Sequence, residues 1–116
     1  MTRMTATGGD ARFAALVDRF EERPAVTPPE PGGRRFGASA LKVHGSIFAM
    51  LQADRLVVKL PATRVAELIA DGDGEPFDAG KGRPMKEWVA IPVAADDALW
   101  LELAEEAFAY VGTLRR

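Results

Sequence analysis

Few residues of this chain have the type and spacing to do chemistry. His44 is the single histidine, and acid–base work or metal ligation would need partners that the neighbouring sequence does not supply. Before Gly45, between two apolar runs, it reads as a hairpin turn residue, because such turns ask for positive φ and histidine tolerates it better than most side chains. Gly80-Lys81-Gly82-Arg83 has the glycines of a phosphate loop. The Walker pattern, however, needs Ser or Thr after the lysine at the mouth of a helix, and here Arg83-Pro84 leads toward a strand. Lys81 and Arg83 therefore read as a looser anion site with backbone amides or as a solvated loop. Absence of cysteine removes disulfides, thiolate nucleophiles and zinc–thiolate sites. The Asp96-Asp97 pair marks a helix start, where the macrodipole favours negative charge. An enzyme would have to use Lys59, Tyr110 or the acids of residues 73–78, which nothing in the linear order brings together. The chain is read as a non-enzyme, with no catalytic residue, metal or cofactor assigned.

Recognition is better served than reaction. Arg34, Arg35, Lys59, Lys81, Arg83 and Lys86 are candidate contacts for an anion or a nucleic acid, concentrated in the middle of the chain. The stretch after Pro92 is instead acidic, with Asp96, Asp97, Glu102, Glu105 and Glu106 against Arg115 and Arg116. The formal net charge of −2 gives no global attraction to nucleic acid or anionic lipid. Strand alternation puts Lys59 beside Phe48, either snorkelling over the ring or contributing to binding. A base-stacking platform would draw on Phe48, Trp88, Lys59, Lys86 and Arg83; the plainer reading of Trp88 and Trp100 is as core aromatics. Phe48, Met50, Val57 and Trp88 are the candidate interaction face.

The elements that position these residues follow from periodicity and punctuation. At 116 residues and 47% hydrophobic content the chain suits one domain with one core, spanning 1–116 with residues 1–9 frayed. No apolar run is long enough for a membrane span, and the N-terminal residues lack a secretion signal, so a cytoplasmic protein is expected. Asp10 caps a helix over about 10–23, with Phe13, Leu16, Val17 and Phe20 on one face. Residues 24–35 form a Pro/Gly-rich connector with a sharp turn at Gly32-Gly33.

Residues 39–60 read as an antiparallel meander turning at His44-Gly45 and Ala53-Asp54. Pairing across the second turn sets Leu51 opposite Leu56, Ala49 opposite Val58 and Ile47 opposite Leu60 on the core face. Met50, Val57, Phe48 and Lys59 then fall on the other face, apolar enough that a helix or a partner should cover it. Pro61 ends the strand and a helix runs to about residue 71, stopped by Gly72. Residues 73–85 are irregular and 86–91 form a further strand, with Trp88 and Ala90 on one side and Val89 and Ile91 on the other. A last helix over about 96–113 is capped by Asp96 or Asp97 and buries a stripe including Leu99, Trp100, Leu103, Ala107, Phe108 and Val111. The fold class is α+β, a small antiparallel sheet packed with three helices.

An ordered set of residues carries a family resemblance. Gly45, Phe48-Ala49-Met50, Arg55-Leu56-Val57-Val58-Lys59, Glu75-Pro76-Phe77, Met85-Lys86-Glu87-Trp88-Val89 with Pro92, and a helix with Trp100, Ala104 and Ala107 together resemble the N-terminal domain of the TfoX/Sxy competence regulators. The likeness covers roughly residues 36–111 and is to a stand-alone version of that domain. It implies an α+β domain of YjbR-like shape, an association with transcriptional regulation, and no catalytic residues to transfer. Three functions follow as expectations: a non-catalytic regulatory or protein-interaction module, with an unknown protein partner or a homodimer; nucleic-acid binding through the cations named above; and, least favoured, a small-molecule enzyme. Neither a membrane nor a metal is expected as a partner.

Overall fold

The computed structural model describes residues 9–28, 40–52, 54–78, 82, 85–93 and 95–114. Among them the elements run α1 (Gly9–Phe20), β1 (Val26–Thr27), β2 (Ala40–Val43), β3 (Ser46–Gln52), β4 (Arg55–Lys59), α2 (Ala62–Ala70), β5 (Glu75–Pro76), β6 (Trp88–Ile91) and α3 (Asp97–Leu114). The strands make one antiparallel sheet in the order β1-β2-β3-β4-β6-β5, the α+β class that the residue pattern predicts.

The expected meander is present, and its first turn has the stereochemistry a two-residue hairpin requires. His44 and Gly45 adopt φ of 53° and 81°, the paired positive values that match the twist of the flanking strands. The β3–β4 register sets Ala49 against Val58 and Leu51 against Leu56, as alternation predicts. Helix α2 ends as foreseen at Gly72: the amides of Gly72 and Asp73 donate to the carbonyls of Ile69 and Leu68, the two bonds of a Schellman stop. Asp96 caps α3, its Oδ1 accepting the Leu99 amide at 2.9 Å.

Other local expectations need correction. Helix α1 begins at Gly9, so Asp10 lies inside it and Gly9 is not frayed. The Gly9 amide donates instead to Asp54 Oδ1 at 3.1 Å, from the β3–β4 turn. A Cβ at residue 9 would stand 2.9 Å from the Asp54 carbonyl oxygen, so the close approach admits only glycine. The helix stops at Phe20 and continues to Arg23 only as turns. The connector holds an edge strand, Val26–Thr27 pairing with Val43 and Lys42, and the irregular 73–85 stretch holds another, Glu75–Pro76 against Ala90 and Val89. Two-residue strands carry too little alternation to be seen in sequence. Their shortness, and Pro76 on one of them, blunts both sheet edges. The sharp turn expected at Gly32-Gly33 lies outside the described residues.

All three helices pack on one face of the sheet. Phe13, Leu16 and Phe20 of α1, Val65 and Leu68 of α2, and Trp100, Leu103, Ala107 and Val111 of α3 share a core with Leu41, Val43, Leu56, Val58, Val89 and Ile91. Phe20, Phe48 and Phe108 meet at centroid distances of 5.4–5.7 Å and join α1, β3 and α3. Among the described residues no helix is long and apolar enough to cross a membrane.

Candidate interaction face

The face of the sheet away from the helices is shaped by one irregularity in β3. Pairing with β2 runs Ala40 to Met50 and Leu41 to Ala49, then jumps to Lys42 with Ile47. Phe48 is thus the extra residue of a β-bulge, and from there on the strand presents its opposite side. Phe48 turns onto the helix side beside Ala49, with no exposed surface. Ile47 turns the other way and packs with the second cluster of Ala40, Met50, Val57, Phe77 and Ala90. Strict alternation assigned both residues to the wrong faces: Phe48 belongs to the main core and Ile47 to the helix-free side.

This second cluster is covered by the chain's own loop. Phe77 is 4% exposed over the sheet, and the Met85 amide donates to its carbonyl at 2.8 Å, which brings Met85 down beside it. Among the described residues Phe77 and Met85 lie over this face, where a helix was one of the two expected covers. Of the four residues read as an interaction face, Phe48, Met50 and Val57 are buried at 0%, 5% and 0% exposure and cannot be contacts. Trp88 remains half-buried, as do Ile47 and Met85, two residues the sequence reading did not select. For Ile47 the signal would have been a bulge, which leaves no mark in a two-residue period.

The cations divide in the same way. Lys59 pairs across β4–β6 with Trp88, not with Phe48. Its ammonium stands 5.9 Å from the centre of that indole and 3.9 Å from Glu87 Oε1. Lys42 is directly opposite Ile47 on the same face, half-buried, and makes no ion pair among the described residues. Arg55, at the start of β4, is held by Glu75 at 3.0 Å. Lys86 is exposed in the turn that leads from Met85 into Trp88. Arg34, Arg35, Lys81 and Arg83 lie outside the described residues.

Tertiary structure also assembles groups that are remote in sequence. Glu87, just before β6, accepts a hydrogen bond from the Tyr110 hydroxyl of α3 at 3.0 Å while its other oxygen faces Lys59. Burial, and then the bond to Glu87, push the Tyr110 phenol above its ordinary value. A phenol so held is a proton-bearing strut and a poor base. The cluster ties α3 to the end of the sheet and fixes Glu87 next to the Lys59–Trp88 pair. His44 is exposed on its turn. No group of three His, Cys, Asp or Glu among the described residues could hold a metal ion.

A concavity of about 420 Å³ lies between α1 and α3, bounded by Ala11, Ala15, Leu16, Trp100 and Leu101. At its rim the Arg12 guanidinium stacks on Trp100 at 5.0 Å, donates to the carbonyls of Val93 and Ala95, and pairs with Asp97. Its Nη1 and Nε donors hold the start of α3. The helix layer is elsewhere laced by Arg23 with Glu105 and by Arg64 with Glu67 and Glu106. Arg23 holds the Glu105 carboxyl below its usual range, through its hydrogen bonds first.

Compared with protein-family models, with curated proteins and with solved structures, the chain matches none.

Proposed function

We propose that this chain is a non-catalytic regulatory module that acts by binding a macromolecular partner through the helix-free face of its sheet. One observation carries the reading. The structure spends its helices, and most of its ion pairs, on one side of the sheet. On the other side Ile47, Met85 and Trp88 stay half-buried beside the ammonium groups of Lys42 and Lys59. An apolar strip flanked by charge is the make-up of a contact patch, in which aromatic and flexible side chains anchor and a polar rim orients. The resemblance to the TfoX/Sxy N-terminal domain points the same way, toward regulation without chemistry.

The test compares the wild-type chain with an Ile47→Glu/Trp88→Arg double variant of unchanged circular dichroism. A single purified partner that binds the wild type at fixed stoichiometry, and the variant at least about tenfold more weakly, supports the reading. Equal binding by both proteins sinks it. Nucleic acid is the second reading, favoured by Lys59 and Lys86 on either side of Trp88 in sequence or register. Its expected outcome is DNA binding that weakens steeply as salt rises and falls when both lysines become alanine. Binding indifferent to salt would refute phosphate-driven recognition.

A further inference from the structure

We infer that the occupant of the helix-free face is an acidic peptide segment with an apolar anchor; the inference rests on the interaction reading above and names its partner. Two cross-strand pairs set a lysine against an apolar side chain on this one face: Lys42 with Ile47 across β2–β3, and Lys59 with Trp88 across β4–β6. The intervening strands put β2 and β6 about 14 Å apart at the usual strand spacing. Across the sheet the order is therefore Lys42, Ile47, Lys59, Trp88, cation and apolar side chain alternating from strand to strand, a span that an extended segment of a few residues covers.

Charge decides the class of occupant. Lys42 makes no ion pair among the described residues, and Lys59 meets Glu87 only at 3.9 Å. On the far side Arg12, Arg23 and Arg64 offset part of the acid of the helix layer, but α3 carries Asp97, Glu102, Glu105 and Glu106 with no basic residue of its own, so the helices stay net acidic. An acidic partner is therefore repelled by one side of the molecule and drawn to the other, which sets its orientation before contact. Side-chain chemistry then separates peptide from nucleic acid. Non-specific single-strand binding uses successive aromatic faces. Here one half-buried indole stands with an isoleucine and an adaptable methionine, a lining that takes Leu, Met or Phe anchors.

The experiment titrates the full chain, labelled with ¹⁵N, with three probes: a twelve-residue peptide alternating Glu with Leu and Phe, the same peptide with Gln for every Glu, and a dT12 oligonucleotide. Shifts at the amides of Lys42, Ile47 and Lys59 and at the Trp88 indole locate binding. The Trp100 indole is an internal control, since it is fully buried and donates to the Pro92 carbonyl. The expected result is binding of the acidic peptide at those residues, about tenfold or more tighter than its Gln counterpart. It should weaken by a similar factor in a Lys42→Glu/Lys59→Gln variant whose thermal midpoint is unchanged. Tighter binding of dT12 at the same residues overturns the peptide class and leaves the face as the contact. Equal binding of the Glu and Gln peptides overturns the role of the lysines. Shifts confined to the helix layer, or no shift with any probe, overturn the inference, while the double-variant comparison above decides the interaction reading separately.

Discussion

Phe48 shows how much one side chain's placement governs the reading of this molecule. It is fully buried and touches Phe20 and Phe108 edge to face, so truncation would remove a large apolar volume and two ring contacts together. Phe48→Ala should cost about 3–5 kcal/mol in urea unfolding, whereas a surface contact residue would lose a few tenths. Alternation could not have found this, because the bulge that turns Phe48 inward is a property of the β2–β3 pairing and not of either strand alone. Asp54 teaches the same lesson in reverse. Its neighbourhood reads plainly as a hairpin turn, yet its carboxylate also serves Gly9 across 45 positions of sequence. His44, whose role depends on its own φ and that of Gly45, was fully legible.

At the scale of elements, charged pairs hold the helices to one another. Arg23, just past α1, stacks on Phe20 at 4.5 Å and binds Glu105 of α3, while Arg64 of α2 reaches Glu106 of α3. Because the folded state lowers the Glu105 pKa, the unfolded chain binds more protons in acid. The contribution is complete above the ordinary glutamate value of about 4.3 and is lost as pH falls through the lower folded value. Glu105→Gln should therefore flatten the loss of stability between about pH 5 and pH 3. Denaturant midpoints measured across that window check the sign, and an unchanged slope would show that the pair is not formed in solution. The helices themselves were legible because each carries apolar residues at helical spacing, and the end of α2 because Gly72 stops it locally. The two edge strands were not, since two residues cannot display a period.

Across the whole molecule, every helix and four of the strands feed one core, which predicts a single cooperative transition. In a Trp88→Phe variant the remaining indole, Trp100, is fully buried between α3 and the sheet. Its fluorescence and the far-ultraviolet circular dichroism should lose their native values at the same urea concentration; separated midpoints would mean that the helix layer and the sheet melt independently. The layered arrangement also separates charge, with the four acids of α3, which has no base of its own, on one side and Lys42 and Lys59 on the other. That asymmetry, rather than the net charge of −2, sets the field close to each face.

The sequence by itself determined the fold class, the hairpin at His44-Gly45, the ends of α2 and, to one of two aspartates, the cap of α3, because each depends on periodicity or on contacts within a few residues. It also determined which side of β6 carries Trp88. Tertiary structure alone decided which residues of the sheet are buried and which stay accessible. A bulge reversed the facing of Ile47 and Phe48, a loop folded Phe77 and Met85 over Met50 and Val57, and Glu87 drew Lys59 and Tyr110 to one carboxylate. Facing along a strand is counted from a register, and register is a relation between strands that no single segment contains.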